Sequence, residues 1–127
     1  MEAKIFLDTH VIIWLYAGEI ERISKKARTL LETATLQITP MCLLEIDYLF
    51  ETKKITVRSQ PILRDLSERI DLQVSHSPFI EIVREASQLY WTRDPFDRLI
   101  VAQARLHKAP LLTKDRNLKK HYPLCVW

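Results

Sequence analysis

A chain of 127 residues that is 47% apolar and 28% charged has the make-up of one compact domain able to bury a core without staples. Its one glycine, Gly18, excludes glycine-rich phosphate loops, dinucleotide turns and kinase lids, so no nucleotide cofactor is expected. The net charge is only +3, yet residues 93–121 hold eight basic side chains against three acids, which leaves the remainder at −2. For any single one of these cations a solvated surface is the simpler reading, whereas the concentration as a whole suits a polyanionic partner.

Cys42 and Cys125 are too few for a disulfide framework or a zinc cluster and read as buried thiols of a reducing, cytoplasmic protein. The opening residues carry Glu2 and no signal-like apolar stretch, and the run 11–16 is too short to cross a bilayer, so no membrane association is expected.

No repeat or linker-like shift interrupts the chain, and residues 1–127 read as a single domain. In chain order, strands are expected at 4–7 (KIFL), 36–39 (LQIT), 72–74 (LQV), 111–113 (LLT) and 124–126 (LCV). Helices are expected between them. Ser24 caps one whose buried stripe is Ala27, Leu30, Leu31 and Ala34; Pro40 opens another through 51; Pro61 starts a third that ends near Arg69. Ile80, Val83 and 86–90 mark a fourth, and Asp94-Pro95 is the cap and first position of a fifth. This alternation predicts an α/β fold with a central, mainly parallel sheet of about five strands and helices on both faces. In such sheets sites lie off the carboxyl ends of the strands.

Four acids fall there. Asp8 follows the first strand and Asp115 the fourth, and either alone is read more simply as a helix N-cap. Glu45 has Met41, Cys42, Tyr48 and Leu49 as wheel neighbours, with Asp47 and Glu51 on the opposite side. An acid on an apolar helix face is costly unless paired or bound to a cation, and no lysine or arginine stands within a turn of it. Asp97 sits at the third helical position beside Ile100, Val101 and Ala104, where a capping role and a catalytic one are equally served; for Asp94 the cap is preferred. Two carboxylates about 5 Å apart repel by about 3 kcal/mol at an effective dielectric near 20, so four together require compensation. Oxygen-only ligation without His or Cys at zinc spacing points to Mg²⁺ or Mn²⁺, ions that act on phosphates.

The motifs LDTHVIIWL at 7–15, LLEIDYL around Glu45, DPFDRLIVAQA at 94–104 and LLTKD at 111–115 together resemble the PIN domain, and most nearly its VapC-like toxins of bacterial toxin–antitoxin pairs. The resemblance spans nearly the whole chain. It implies a three-layer α/β/α fold and a Mg²⁺- or Mn²⁺-dependent endoribonuclease that hydrolyses RNA, with Asp8, Glu45, Asp97 and Asp115 as the acidic quartet. Thr9 and Thr113 match the small hydroxyl positions beside the quartet, and Asp94 a frequent extra acid. It further implies a homodimer inhibited by a cognate antitoxin that fills the acidic groove. The segment before Glu45, often Ser-rich in relatives, reads TPMCLL here.

Arg98, Lys114 and Arg116, adjacent in sequence to Asp97 and Asp115, are candidate phosphate contacts. The histidines His10, His76, His107 and His121 fit surface or helix-end roles, with His10 flanking the site. Trp14, Tyr16 and Tyr48 read as core or dimer-face aromatics, and Trp91 and Phe96 as packing residues more than base-stacking ones. Two other readings compete. A haloacid-dehalogenase-type phosphatase would use Asp8 as nucleophile and Lys114 as phosphoryl contact, but it wants an aspartate where His10 stands. A degenerate PIN-like module would bind RNA or protein without catalysis, and four retained acids argue against it.

Overall fold

Five parallel strands form the central sheet of the computed structural model, which describes residues 3–127. They are β1 (Lys4–Leu7), β2 (Thr35–Ile38), β3 (Gln73–Val74), β4 (Leu111–Leu112) and β5 (Cys125–Val126), in the order β3-β2-β1-β4-β5. The helices between them are α1 (Thr9–Ala17), α2 (Lys25–Thr33), α3 (Pro40–Glu51), α4 (Ser59–Ile70), α5 (Phe79–Ala86), α6 (Pro95–Leu106) and α7 (Arg116–His121). Every strand overlaps an apolar run expected from sequence, because a strand covered on both faces must be apolar at consecutive positions. In β1, the middle strand, Ile5, Phe6 and Leu7 are all buried. Burying each such side chain contributes about 1.5–3 kcal/mol.

From β1 the chain steps to β2 and then β3 in one direction, and from β4 to β5 in the other. Right-handed crossovers then place α1 to α4 on one face and α5 to α7 on the other, the three-layer arrangement expected. The reversal falls between β1 and β4, so a crevice opens beyond their carboxyl ends. Register fixes what meets there: Leu7 pairs with Leu112, and the Asp8 N–H donates to the Leu112 carbonyl at 3.0 Å. The residues that follow, Asp8 and Thr113, are thereby brought face to face.

Local signals account for most helix ends. Ser24 Oγ accepts from the Ala27 N–H, Thr39 caps α3 with Pro40 at its first position, and Gly18 closes α1 at φ 73°, a conformation other residues adopt at a cost. Two ends differ from the sequence expectation. Helix α4 starts at Ser59, two residues before Pro61, because Asp47 of α3 accepts from both the Ser59 N–H (2.9 Å) and the Ser59 hydroxyl (3.0 Å). Asp47 is therefore half-buried against α4 rather than on a solvated face, while Tyr48 is the exposed one. Helix α5 stops at Ala86 and does not continue through 87–90; the Arg98 guanidinium donates to the Ala86 carbonyl at 3.0 Å.

Among the described residues no helix is long and apolar enough to cross a membrane. Cys42 is fully buried with its thiol toward the Leu7 carbonyl, Cys125 is half-buried, and both are free.

Because Asp47 supplies the only side-chain cap found for α4 among the described residues, Asp47→Ala is expected to destabilise the fold by about 1–2 kcal/mol. Urea unfolding followed by circular dichroism measures it; an unchanged midpoint would contradict the assignment.

Candidate active site

Each of the four acids is delivered by a different element. Asp8 ends β1 and caps α1, Glu45 lies in the second turn of α3, Asp97 in the first turn of α6, and Asp115 caps α7. Two threonines, both fully buried, tie three of them together. The Thr113 hydroxyl donates to Asp8 Oδ2 at 2.6 Å and accepts from the Asp115 N–H at 3.1 Å, so one oxygen fixes both strand-end acids. The Thr9 N–H donates to Asp8 Oδ1 at 2.7 Å, and the Thr9 hydroxyl makes a short bond to Glu45 Oε1. In this way α1 reaches across to α3.

Asp94 caps α6 as expected, accepting from the Phe96 N–H at 2.8 Å and more weakly from the Asp97 N–H. The Asp97 carboxyl is thus not needed for the cap. Burial and the fields of Asp94, Asp8, Asp115 and Glu45 push it up to about 7. Burial is also the main reason that the Asp8 and Glu45 carboxyls lie above their usual range, and each is raised further by another acid of the set. Burial is the largest cause for all three, and the smaller fields that the acids add to one another join all four in one electrostatic unit. No lysine or arginine ion pair relieves Asp8, Glu45 or Asp97 among the described residues.

The donor set fits a hard divalent cation: oxygens only, with negative charge in excess. Among the described residues no three His, Cys, Asp or Glu side chains close on one point tightly enough to grip a bare ion. Mg²⁺ is suited to such a setting, since it keeps several waters and takes only one or two direct carboxylates.

The flanking residues separate into two groups. Lys114 lines the cleft with Asp8 and Asp115, and Arg116 is exposed on the next turn. Arg98 is instead engaged by the Ala86 carbonyl. Sequence reading gave too little weight to two aromatic rings. His10 lies close enough to lower both Asp8 and Glu45, and Trp14 lines the same cleft. Their spacing from Asp8, two and six residues along a helix that begins there, was the available signal. Phe96 packs on Tyr48 at 5.8 Å and Trp91 stacks on His121 at 4.6 Å, in keeping with packing roles.

The PIN domain family model matches residues 5–122. The chain belongs to the PIN domain family. It is 32% identical to Ribonuclease VapC22 of Mycobacterium tuberculosis over 129 residues, covering 97% of this chain and 98% of that protein. A toxin-antitoxin complex from Klebsiella pneumoniae contains a similar fold, with a TM-score of 0.67, 21% identity and coverage of 97% of this chain and 96% of that one. VapBC2 from Rickettsia felis, bound to a DNA fragment from its promoter, gives a TM-score of 0.60 at 20% identity, with the same coverages of 97% and 96%. At these identities the solved structures speak for the fold alone, and the fold they share is the α/β/α arrangement of this PIN domain.

The Asp97 carboxyl, raised from 3.8 to about 7, is held protonated more tightly by the folded PIN domain than by the unfolded chain. Its contribution to stability is full below the ordinary carboxylate range and is lost as pH rises through about 7. Without divalent metal, Asp97→Asn is therefore expected to flatten the decline of thermal stability across that window and to be the more stable protein at its upper end. Melting curves in EDTA test this, and parallel slopes for the two proteins would contradict it.

Proposed function

We propose that this chain is a Mg²⁺- or Mn²⁺-dependent endoribonuclease, the toxin of a toxin–antitoxin pair acting in the cytoplasm. The observation that carries the reading is the raising of Asp8, Glu45 and Asp97 off the strand ends, by burial first and then by the fields of neighbouring acids, an arrangement that wants a divalent cation. The name of the Mycobacterium tuberculosis relative supports ribonuclease activity, and the toxin-antitoxin assemblies among the solved structures support a cognate antitoxin.

In this reading Asp8, Glu45, Asp97 and Asp115 would hold the cation. It would supply Lewis acidity toward a phosphodiester oxygen and a lowered pKa for the attacking water. The chain's own residues do the rest. Thr113 and the Thr9 N–H hold the two oxygens of Asp8 in place, so this carboxylate needs no rearrangement on loading. Thr9 orients Glu45 from the opposite side, and Asp94 caps the α6 terminus that carries Asp97. Lys114, which lines the cleft, and the exposed Arg116 would meet RNA phosphates flanking the cleaved bond, with Arg98, held to the Ala86 carbonyl, in a lesser role. Exposed Leu44 and Tyr48 on α3 and Phe79 and Ile80 on α5 give an apolar face, continuous through the hollow that Leu44 and Phe79 share, which supports a homodimer.

Purified protein is expected to cleave a pool of structured RNA with Mn²⁺ and not with EDTA. Asp8→Asn is expected to lose at least about a hundredfold in rate while keeping its fold, a larger loss than displacing a partner one layer further out. Gel analysis of the pool reads both. Cleavage that persists in EDTA, or in Asp8→Asn, would contradict the assignment.

A further inference from the structure

Helix α1 borders a second hollow besides the acidic cleft. Between α1 and the connection from α3 to α4 lies a groove of about 480 Å³ whose walls include Trp14, Tyr16, Leu49, Ile55 and Val57. His10 and Trp14 line both this groove and the cleft that holds Asp8 and Asp115. The two hollows therefore share a wall made of two rings 6.1 Å apart. Trp127 packs on Trp14 at 5.9 Å, and the Arg22 guanidinium, which itself lines the groove, lies 5.7 Å from the Trp14 ring. Arg22 is itself steadied by Glu19 at 3.3 Å. Lys54 stands with Arg22 on the rim.

An aromatic wall, a cationic rim and a wall shared with the acidic cleft are together what an unpaired nucleotide requires. Stacking is tolerant of sequence and strong per base, and the rim cations meet the flanking phosphates. A neutral or basic peptide would use the apolar walls but would leave Lys54 without a partner.

We propose that this groove receives a nucleobase adjacent to the scissile phosphate, stacked against Trp14, with Lys54 on a neighbouring phosphate. The subsite rests on the ribonuclease reading and adds base recognition to it. It also assigns Trp14 to substrate, in place of the core or dimer-face role expected from sequence.

The test uses a short single-stranded RNA that the wild type cleaves, together with copies in which one nucleotide near the cleaved bond is abasic. At one position, loss of the base is expected to lower kcat/KM about tenfold, mainly through KM. Thr56→Trp fills the groove from an exposed position, so the fold is not at risk. This variant is expected to show a similar loss on intact RNA and no further loss on the abasic copy. Lys54→Glu is expected to raise KM on both RNAs alike and to lessen the salt dependence. A flat abasic scan, or the wild-type ratio of intact to abasic cleavage in Thr56→Trp, would overturn the subsite while leaving the ribonuclease reading intact. Loss of binding to an antitoxin peptide by Thr56→Trp with RNA kinetics unchanged would also overturn it, in favour of a protein-docking groove. A wild type that cleaves no RNA with Mn²⁺ would overturn the ribonuclease reading itself, and the subsite with it.

Discussion

Like charges held together at the edge of a sheet are the constraint around which this molecule is arranged. Asp8, Glu45 and Asp97 are all shifted toward the protonated state, by burial first and then by the fields of neighbouring acids, Asp115 on Asp8, Asp8 and Asp94 on Glu45, and all of these on Asp97. A fold gains nothing in stability from such a cluster. It tolerates the repulsion because each acid is anchored to an element whose own packing is independent of it: β1 with its buried Ile5, Phe6 and Leu7, α3 through Cys42 and Ile46, and α6 through Ile100 and Val101. The strain sits at the ends of well-packed elements, where function is commonly located.

The sheet does the positioning. Reversal of strand order between β1 and β4, with Leu7 opposite Leu112, leaves Asp8 and Thr113 no choice but to meet. One threonine hydroxyl then links Asp8 to Asp115, and another links α1 to Glu45. These hydroxyls do not neutralise the acids. They set the direction of the lone pairs and leave the net charge for a ligand to balance, which separates a site from an ordinary buried ion pair.

Much of this was legible in the sequence because the signals are local. Apolar runs gave the strands, Ser24, Pro40 and Asp94 gave helix starts, and an acid without a local cation on an apolar face gave Glu45. What escaped depends on contacts between segments far apart in the chain. The start of α4 is set by Asp47 of α3, twelve residues earlier, and the Ala86 carbonyl at the end of α5 is met by Arg98 of α6. Arg98 looked like a phosphate ligand by adjacency alone, and Trp14 looked like core by hydrophobicity alone. Only the tertiary structure shows Trp14, with Trp127 against its ring, lining a groove.

The central claim is that these carboxylates form one unit whose repulsion a divalent cation relieves. Carbon-detected NMR titration of the Asp and Glu carboxyl groups, with and without Mg²⁺, addresses it directly. Without the ion, Asp97 should titrate at about 7 and Asp8 and Glu45 above the ordinary carboxylate range. With it, all three should fall together. Ordinary values in the absence of Mg²⁺, or elevated values that millimolar Mg²⁺ leaves unmoved, would contradict the account.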